Sequence, residues 1–381
     1  MKIRESNYEL MRIISMLFII TGHVFSWGGV FNNSTFRIAV IINFIYAIIM
    51  VHVNSFVLVS GYFQSKSKFK ISKPIHLLIM MWFYKALITI IGYKLGWFDF
   101  SSFDLLWKIS PFDFSNYWFI KMYIVLYCLS PFINKMVSKL DRQKFRKLLI
   151  VMFFLCSILV SITNQELFQN SKGYSLVNFV FLYLVGYYIR AYVFSDERIK
   201  NYKNDKIKKI VALFLFFSIF VFAFLINYCL FRVGNKLTIY GGGYGFIGSR
   251  MVNVFMAYDN PLVIIGSVAY FMFFGFLNIK SKLINFISKF TLEIYIIHET
   301  AIFRPILYSL FGLNGVFNSY TIFLKVAVIV VFIFIGCSLI SGVRMLIFKF
   351  IKFILNKFNF IQKITLKIER VENKIDNWMN C

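Results

Sequence analysis

Apolar runs of about 20 residues recur along the whole chain, the length an α-helix needs to cross the hydrocarbon core of a bilayer. Ten can be read, centred near Leu17, Phe56, Trp82, Leu126, Leu155, Leu184, Phe220, Ser267, Ala301 and Val331. The pattern predicts an all-α polytopic membrane protein of about ten transmembrane helices. The longest segments between runs are Gly96–Tyr117, rich in aromatic residues and carrying Asp99, Asp104 and Asp113, and Arg232–Arg250. The second holds YGGGYGFIG, whose glycines predict a flexible linker or lid; no strand, helix start or Lys-Ser/Thr pair accompanies them to make a phosphate loop. From Lys349 onward bulky apolar residues alternate with Lys, as in an amphipathic helix lying on a membrane surface. The expected division is therefore a transmembrane domain over 1–348 and a basic amphipathic tail over 349–381. No internal repeat is evident.

Composition agrees with this reading. The chain is 59% hydrophobic and 20% aromatic, with only 5 Pro, and its mean hydropathy is +0.72. The net charge of +26 would suit a nucleic-acid binder, but no nucleic-acid motif goes with it. Lys and Arg instead concentrate in every second loop, as the positive-inside rule requires. That asymmetry places both termini in the cytoplasm and turns the basic excess toward anionic lipid head groups. The cysteines have no paired spacing and the four histidines (His23, His52, His76, His298) are scattered singly, so neither a disulfide framework nor a metal site is expected. The first run follows a short charged N-terminus without a small-residue cleavage site, and reads as a retained span.

An ionisable residue in a span is costly and marks a functional site by default. The first run carries the pair Arg12 and His23. Eleven residues are about three helical turns, so the two share one face roughly 16 Å apart. With Arg12 near the cytoplasmic edge, His23 is expected near the midplane, facing a pocket in which neutral imidazole serves as a general base. The plainer alternative is a buried, satisfied histidine and an arginine snorkelling to lipid phosphates. The ninth run, SKFTLEIYIIHETAIFRP, brings Glu293, Tyr295 and His298, with Glu299 and Arg304 following. His298 is expected at a depth similar to that of His23, on another helix. A structural ion pair explains Glu299 and Arg304 as well as a pocket does. Asn54 and Ser60, in HVNSFVLVSGYF, fit substrate binding or the helix packing for which such residues are common. Lys73 closes a basic loop suited to donor phosphates or, more ordinarily, to lipid. Lys121, at the start of the fourth run, is expected to snorkel outward.

Assembled, these residues resemble the membrane acyltransferase family three, the bacterial integral-membrane O-acyltransferases. The resemblance rests on Glu9, Arg12 and His23 in the first run (acidic, then Arg, ten residues, His), on NSFVLVSGYF, on YWFIKMYIVLYCLSPFIN and GYSLVNFVFLYLVGYYIR, and on TLEIYIIHE with Tyr295 and His298. It implies a transmembrane acyltransferase domain in the bacterial cytoplasmic membrane. Such an enzyme moves an acyl group, usually acetyl from acetyl-CoA, to a hydroxyl of an extracytoplasmic or lipid-linked polysaccharide. His23, Arg12 and His298 are then the expected catalytic residues, and Glu9, Asn54, Ser60, Glu293, Tyr295 and Lys73 the substrate-binding ones. Acyl-CoA, a surface polysaccharide and membrane lipids are the expected partners, with no metal and no nucleic acid. The family's Arg-rich third-span entrance is replaced here by Lys73 and Lys85. Some relatives carry a fused extracytoplasmic domain; here either a separate transferase completes the reaction or the membrane domain acylates its acceptor directly. Two rivals are a saccharide transporter with Arg12, His23 and Glu293 as a proton relay, and a lipid-linked glycosyltransferase using the Asp99–Asp113 segment. The lack of repeats and of matched broken helices speaks against the first.

Overall fold

The computed structural model describes residues 5–110, 117–163, 171–254, 257–313, 316–355 and 359–380. Among the described residues it is 82% helical without strands, and eight helices are long and apolar enough to cross a membrane. In chain order they begin with α1 (Ser6–Ser26) and the pair α2 (Phe36–Ile49) and α3 (Val51–Gln64), interrupted at Met50. Next come α4 (Ser72–Lys94), the short α5 (Ser102–Ile109) and α6 (Trp118–Val137). The segment α7 (Arg142–Phe153) continues through a π turn into α8 (Leu159–Thr163), and α9 (Leu176–Tyr188) ends in another π turn. A short polar α10 (Glu197–Asn204) leads into the long α11 (Lys206–Ile239).

Expectation and structure part company in the last third. The YGGGYGFIG segment is not a flexible loop: α12 (Gly242–Val254) folds back along the end of α11. Gly241, at φ +66°, allows the reversal, and Gly248 lets α12 press against the Gly234 carbonyl, 2.4 Å from where a Cβ would stand. The eighth expected span is α13 (Pro261–Phe276), only 16 residues long, started by Asn260, whose side chain accepts from the Leu262 N–H, and by a proline in its first turn. The ninth, centred on Ala301, is not one helix. It consists of α14 (Lys282–Ile287), a 3₁₀ turn, α15 (Thr291–His298), an open turn, and α16 (Phe303–Ser309). The cause is Pro305: in a continuous helix its ring would clash with the Ala301 carbonyl and its missing N–H would leave a gap. Two long helices close the chain, α17 (Thr321–Leu355) and the amphipathic α18 (Asn359–Asn380). The tail docks on the loop before α4, where Asp376 accepts the Ile71 N–H at 2.7 Å and Asn380 the Phe69 N–H at 2.8 Å. Asp113 lies outside the described residues; of its acidic neighbours, Asp104 closes the first turn of α5 with Ser101.

Packing divides into two apolar clusters that meet at α1. One joins the C-terminal half of α1 to α4, α15 and α17; the other joins its N-terminal half to α3, α9 and α13. In lipid, helices gain from close backbone approach rather than from apolar burial, and the crossing of α3 with α9 shows how. A Cβ on Gly61 would stand 2.0 Å from the Tyr183 carbonyl, and one on Gly186 2.2 Å from that of Leu58. Each glycine receives the other helix's backbone. Gly61→Val or Gly186→Val should therefore lower the thermal unfolding temperature sharply in detergent. Gly336→Ala, on a part of α17 where a Cβ meets nothing within 4 Å, should leave it unchanged or raise it slightly, since a helix-interior glycine costs about 0.5–1 kcal/mol relative to alanine.

Candidate active site

Between the two clusters lies a cavity of about 540 Å³. Its walls come from α1 and the residue that ends it (Met16, Ile19, His23, Trp27), from either side of the α2–α3 interruption (Tyr46, Met50, His52), from α15 (Leu292, Tyr295), from the turn after it (Glu299) and from α16 (Arg304). An aromatic wall of Tyr117, Trp118, Tyr174 and Tyr258 completes it. Both helix interruptions open onto this space. The break at Met50 is one residue long and keeps right-handed helical angles; the turn after α15 leaves them at Glu299, and such backbone survives within a membrane protein only where protein or a water-filled cavity satisfies it. Trp27 at its rim is 53% exposed, which puts the mouth at the C-terminal end of α1.

His23 stands in the last turn of α1, three residues from its end. Its Nδ1 lies 3.0 Å from His298 Nε2. The hydrogen bonds decide who donates. His298 Nδ1 is 2.5 Å from the Ile294 carbonyl, and a carbonyl only accepts, so that nitrogen carries the proton. His298 Nε2 is then a bare lone pair in the neutral ring, and His23 Nδ1–H must donate to it. The remaining His23 nitrogen, Nε2, is left as a lone pair on a ring that lines the cavity. Glu299 Oε2 sits 3.0 Å from His23 Nδ1, while its Oε1 accepts from Arg304 Nη1 at 2.6 Å. The Arg304 guanidinium in turn covers the Trp27 ring at 3.8 Å. Around the open turn, Thr300 bonds the Ile296 carbonyl at 2.8 Å and the Tyr117 hydroxyl at 2.7 Å. His23, His298 and Glu299 have donor atoms within 4.8 Å of one another, a set a divalent transition metal accepts. Their present spacing is that of hydrogen bonds, and Arg304 already balances the carboxylate.

The other expected site residues are dispersed. Tyr295 lines the cavity. Arg12 does not: it lies on α1 roughly 16 Å along the axis from His23, with Nη1 3.4 Å from Glu9. Lys73 lines a smaller cavity of about 200 Å³ with Leu77, Met80 and Tyr123, which shares the Leu292 side chain with the main one. Through Tyr127 it adjoins a third space of about 610 Å³ lined by Lys66, Lys68, Lys135 and Trp378. Ser60 bonds the Phe56 carbonyl of its own helix. Asn54 is fully buried and donates to the Tyr258 carbonyl at 2.9 Å, tying α3 to the turn before α13. Glu293, expected to bind substrate, is held in an ion pair. Its carboxylate takes Arg344 Nη2 at 2.6 Å and Nε at 3.0 Å, together with the Tyr84 hydroxyl, away from the cavity. The cost of burying a charge marks Glu293 in the sequence, but does not say whether the remedy is a ligand or an arginine on another helix. The sequence gives His52 no role, since nothing in AIIMVHVNS marks the break at Met50 that sets it on the cavity wall.

A multi-pass, all-α membrane protein with a histidine pair over a carboxylate in a buried cavity is the class that fold and site define. The family profile described as "Acyltransferase domain" matches residues 5–342, nearly the whole chain. The chain belongs to acyltransferase family 3 and is an integral-membrane acyltransferase. No curated protein and no solved structure matches it.

The Glu293–Arg344 pair is testable. Its side chains are 7% and 13% exposed, and breaking a buried pair by removing one partner costs about 3–5 kcal/mol, whereas replacing both with apolar residues costs far less. Arg344→Leu should lower the unfolding temperature more than the double variant Glu293→Leu/Arg344→Leu. Equal losses in both would remove the structural assignment of Glu293.

Proposed function

We propose that this acyltransferase moves an acyl group, acetyl foremost, from cytoplasmic acyl-CoA to a hydroxyl of an extracytoplasmic or lipid-linked polysaccharide, in the bacterial cytoplasmic membrane. The observation that carries the reading is the His23–His298 hydrogen bond: it leaves His23 Nε2 as a base on the cavity wall, oriented by a second histidine. The acceptor hydroxyl gives its proton to Nε2 as its oxygen attacks the thioester carbonyl. The C–S bond breaks, the ester C–O bond remains, and the CoA thiolate takes the proton back from His23. Glu299, 3.0 Å from Nδ1, stabilises the imidazolium that exists between the two transfers. The aromatic wall supports a saccharide acceptor, whose ring faces suit apolar surfaces set with a few polar groups. Lys73 and the basic space beyond it, together with Arg12, support a donor whose phosphates stay at the opposite end of α1. Leu292, shared by two cavities, is where the acyl chain would pass from one to the other.

The test is genetic and chemical. Deleting the gene should remove ester-linked acyl groups from the surface polysaccharide while polymer length stays normal. Complementation with the native gene should restore them. His23→Ala should restore at most about one part in 10², the lower bound for losing a general base. Arg12→Ala should raise the acyl-CoA concentration needed for half-maximal transfer. Normal acylation with missing or shortened polymer would instead identify an exporter or polymerase.

A further inference from the structure

His52 has a role that the base and its partners do not fill. It lies two residues past the interruption at Met50, is 5% exposed, and lines the same cavity as His23. The Val53 backbone N–H donates to its Nδ1 at 2.8 Å, and the Met50 carbonyl also neighbours the ring. A ring nitrogen that accepts an N–H carries no proton, so the neutral ring holds its hydrogen on Nε2. The Tyr258 ring, 5.6 Å away centre to centre and tilted by 38°, braces the imidazole from the side. His23 and His52 are thus opposite tautomers on one cavity: His23 presents a lone pair, His52 an N–H.

We infer that His52 is a catalytic electrophile, its Nε2–H donating to the acyl carbonyl oxygen and stabilising the oxyanion. This rests on the acyl-transfer reading above. As the acceptor oxygen bonds to the carbonyl carbon, the C=O π electrons move onto that oxygen. They return when the C–S bond breaks and CoA thiolate leaves. A donor held before reaction by the backbone needs no reorganisation as that charge develops, which is why such groups lower barriers. A neutral imidazole can polarise a carbonyl as an electrophile in this way. His23 cannot take this part, because its own N–H is spent on His298.

Inverted membrane vesicles containing the full chain, their endogenous acceptor, and radiolabelled acetyl-CoA supplied from outside provide the assay. Initial rates of label entering the saccharide fraction are measured against acetyl-CoA concentration. His52→Leu should cut the maximal rate about 10²–10³-fold, the usual loss on removing one oxyanion donor, with half-saturating acetyl-CoA little changed. His52→Gln, whose amide N–H₂ can donate from a similar place, should recover at least a tenth of the native rate. Thermal unfolding of each purified variant accompanies the kinetics. A native-like rate in His52→Leu overturns the proposal, and so does an inactive His52→Gln that unfolds at the native temperature. Should His52→Leu fail to fold, the His52→Gln rate decides alone. Failure of the underlying reading looks different: native vesicles then transfer no label, or His23→Ala vesicles transfer as much as native ones, and the electrophile falls with it.

Discussion

The contact on which the site depends most is not in the site. Helix α15 has eight residues, about two turns, and its own hydrogen bonds say nothing of where it sits. The Glu293 carboxylate fixes it: Arg344 of α17 grips both oxygens, and Tyr84 of α4 adds a third bond. Two N–H groups from one guanidinium set orientation as well as distance. Five residues on, at the other end of the same short helix, His298 reaches His23 at 3.0 Å. A buried ion pair is weak as a source of stability and better at choosing one arrangement among several. Here it selects the register in which two histidines on different helices share a proton.

Membrane physics explains why those histidines occur where helices break. A continuous helix satisfies its own backbone and offers the bilayer nothing to bind. Breaking it creates polar backbone that needs a partner, and the partners here are side chains with chemistry. The Ile294 carbonyl sets the His298 tautomer just before the open turn, and the Val53 N–H sets that of His52 just after Met50. Opposite backbone groups, one accepting and one donating, leave opposite ring nitrogens protonated. The same residue type thereby yields a hydrogen-bond acceptor at one position and a donor at another.

Much of this architecture was legible in the chain. Ten apolar runs are present, and period and length alone identify the eight long helices, because a span must be long and apolar wherever it packs. The ninth run resisted that logic: Pro305 breaks it, and the apolar character of a run does not register a break. The first-run face carrying Arg12 and His23 follows from helical spacing, and the similar depth of His298 from counting along the ninth run. What spacing could not show is that the cavity reaches only one end of that face. Arg12 and Glu9 pair with each other, while Met16 and Ile19 begin the cavity wall one turn and two turns on. Glu293 and Asn54 were marked by the cost of polar burial, a cost that an arginine 51 residues later and a carbonyl 204 residues later relieve. Such pairings are properties of packing, invisible to any local window.

Charge balance accounts for the remaining neighbours of His23. A base that becomes an imidazolium in a low-dielectric cavity needs an anion close by, yet a permanent lone carboxylate would itself be expensive to bury. Glu299 meets both demands because Arg304 holds one of its oxygens at 2.6 Å and leaves the other beside His23 Nδ1. The arginine, folded over the Trp27 ring, keeps the resting cavity neutral overall. When His23 takes a proton, the new charge lies beside the Glu299 oxygen that Arg304 does not hold, so attraction exceeds repulsion at that nitrogen. Removing Arg304 would strand Glu299 as an unpaired anion, and removing Glu299 would leave Arg304 repelling the protonated base. The pair therefore acts as one unit at the mouth of the cavity, and its placement there follows from the same break at Pro305 that ends α15 beside His23.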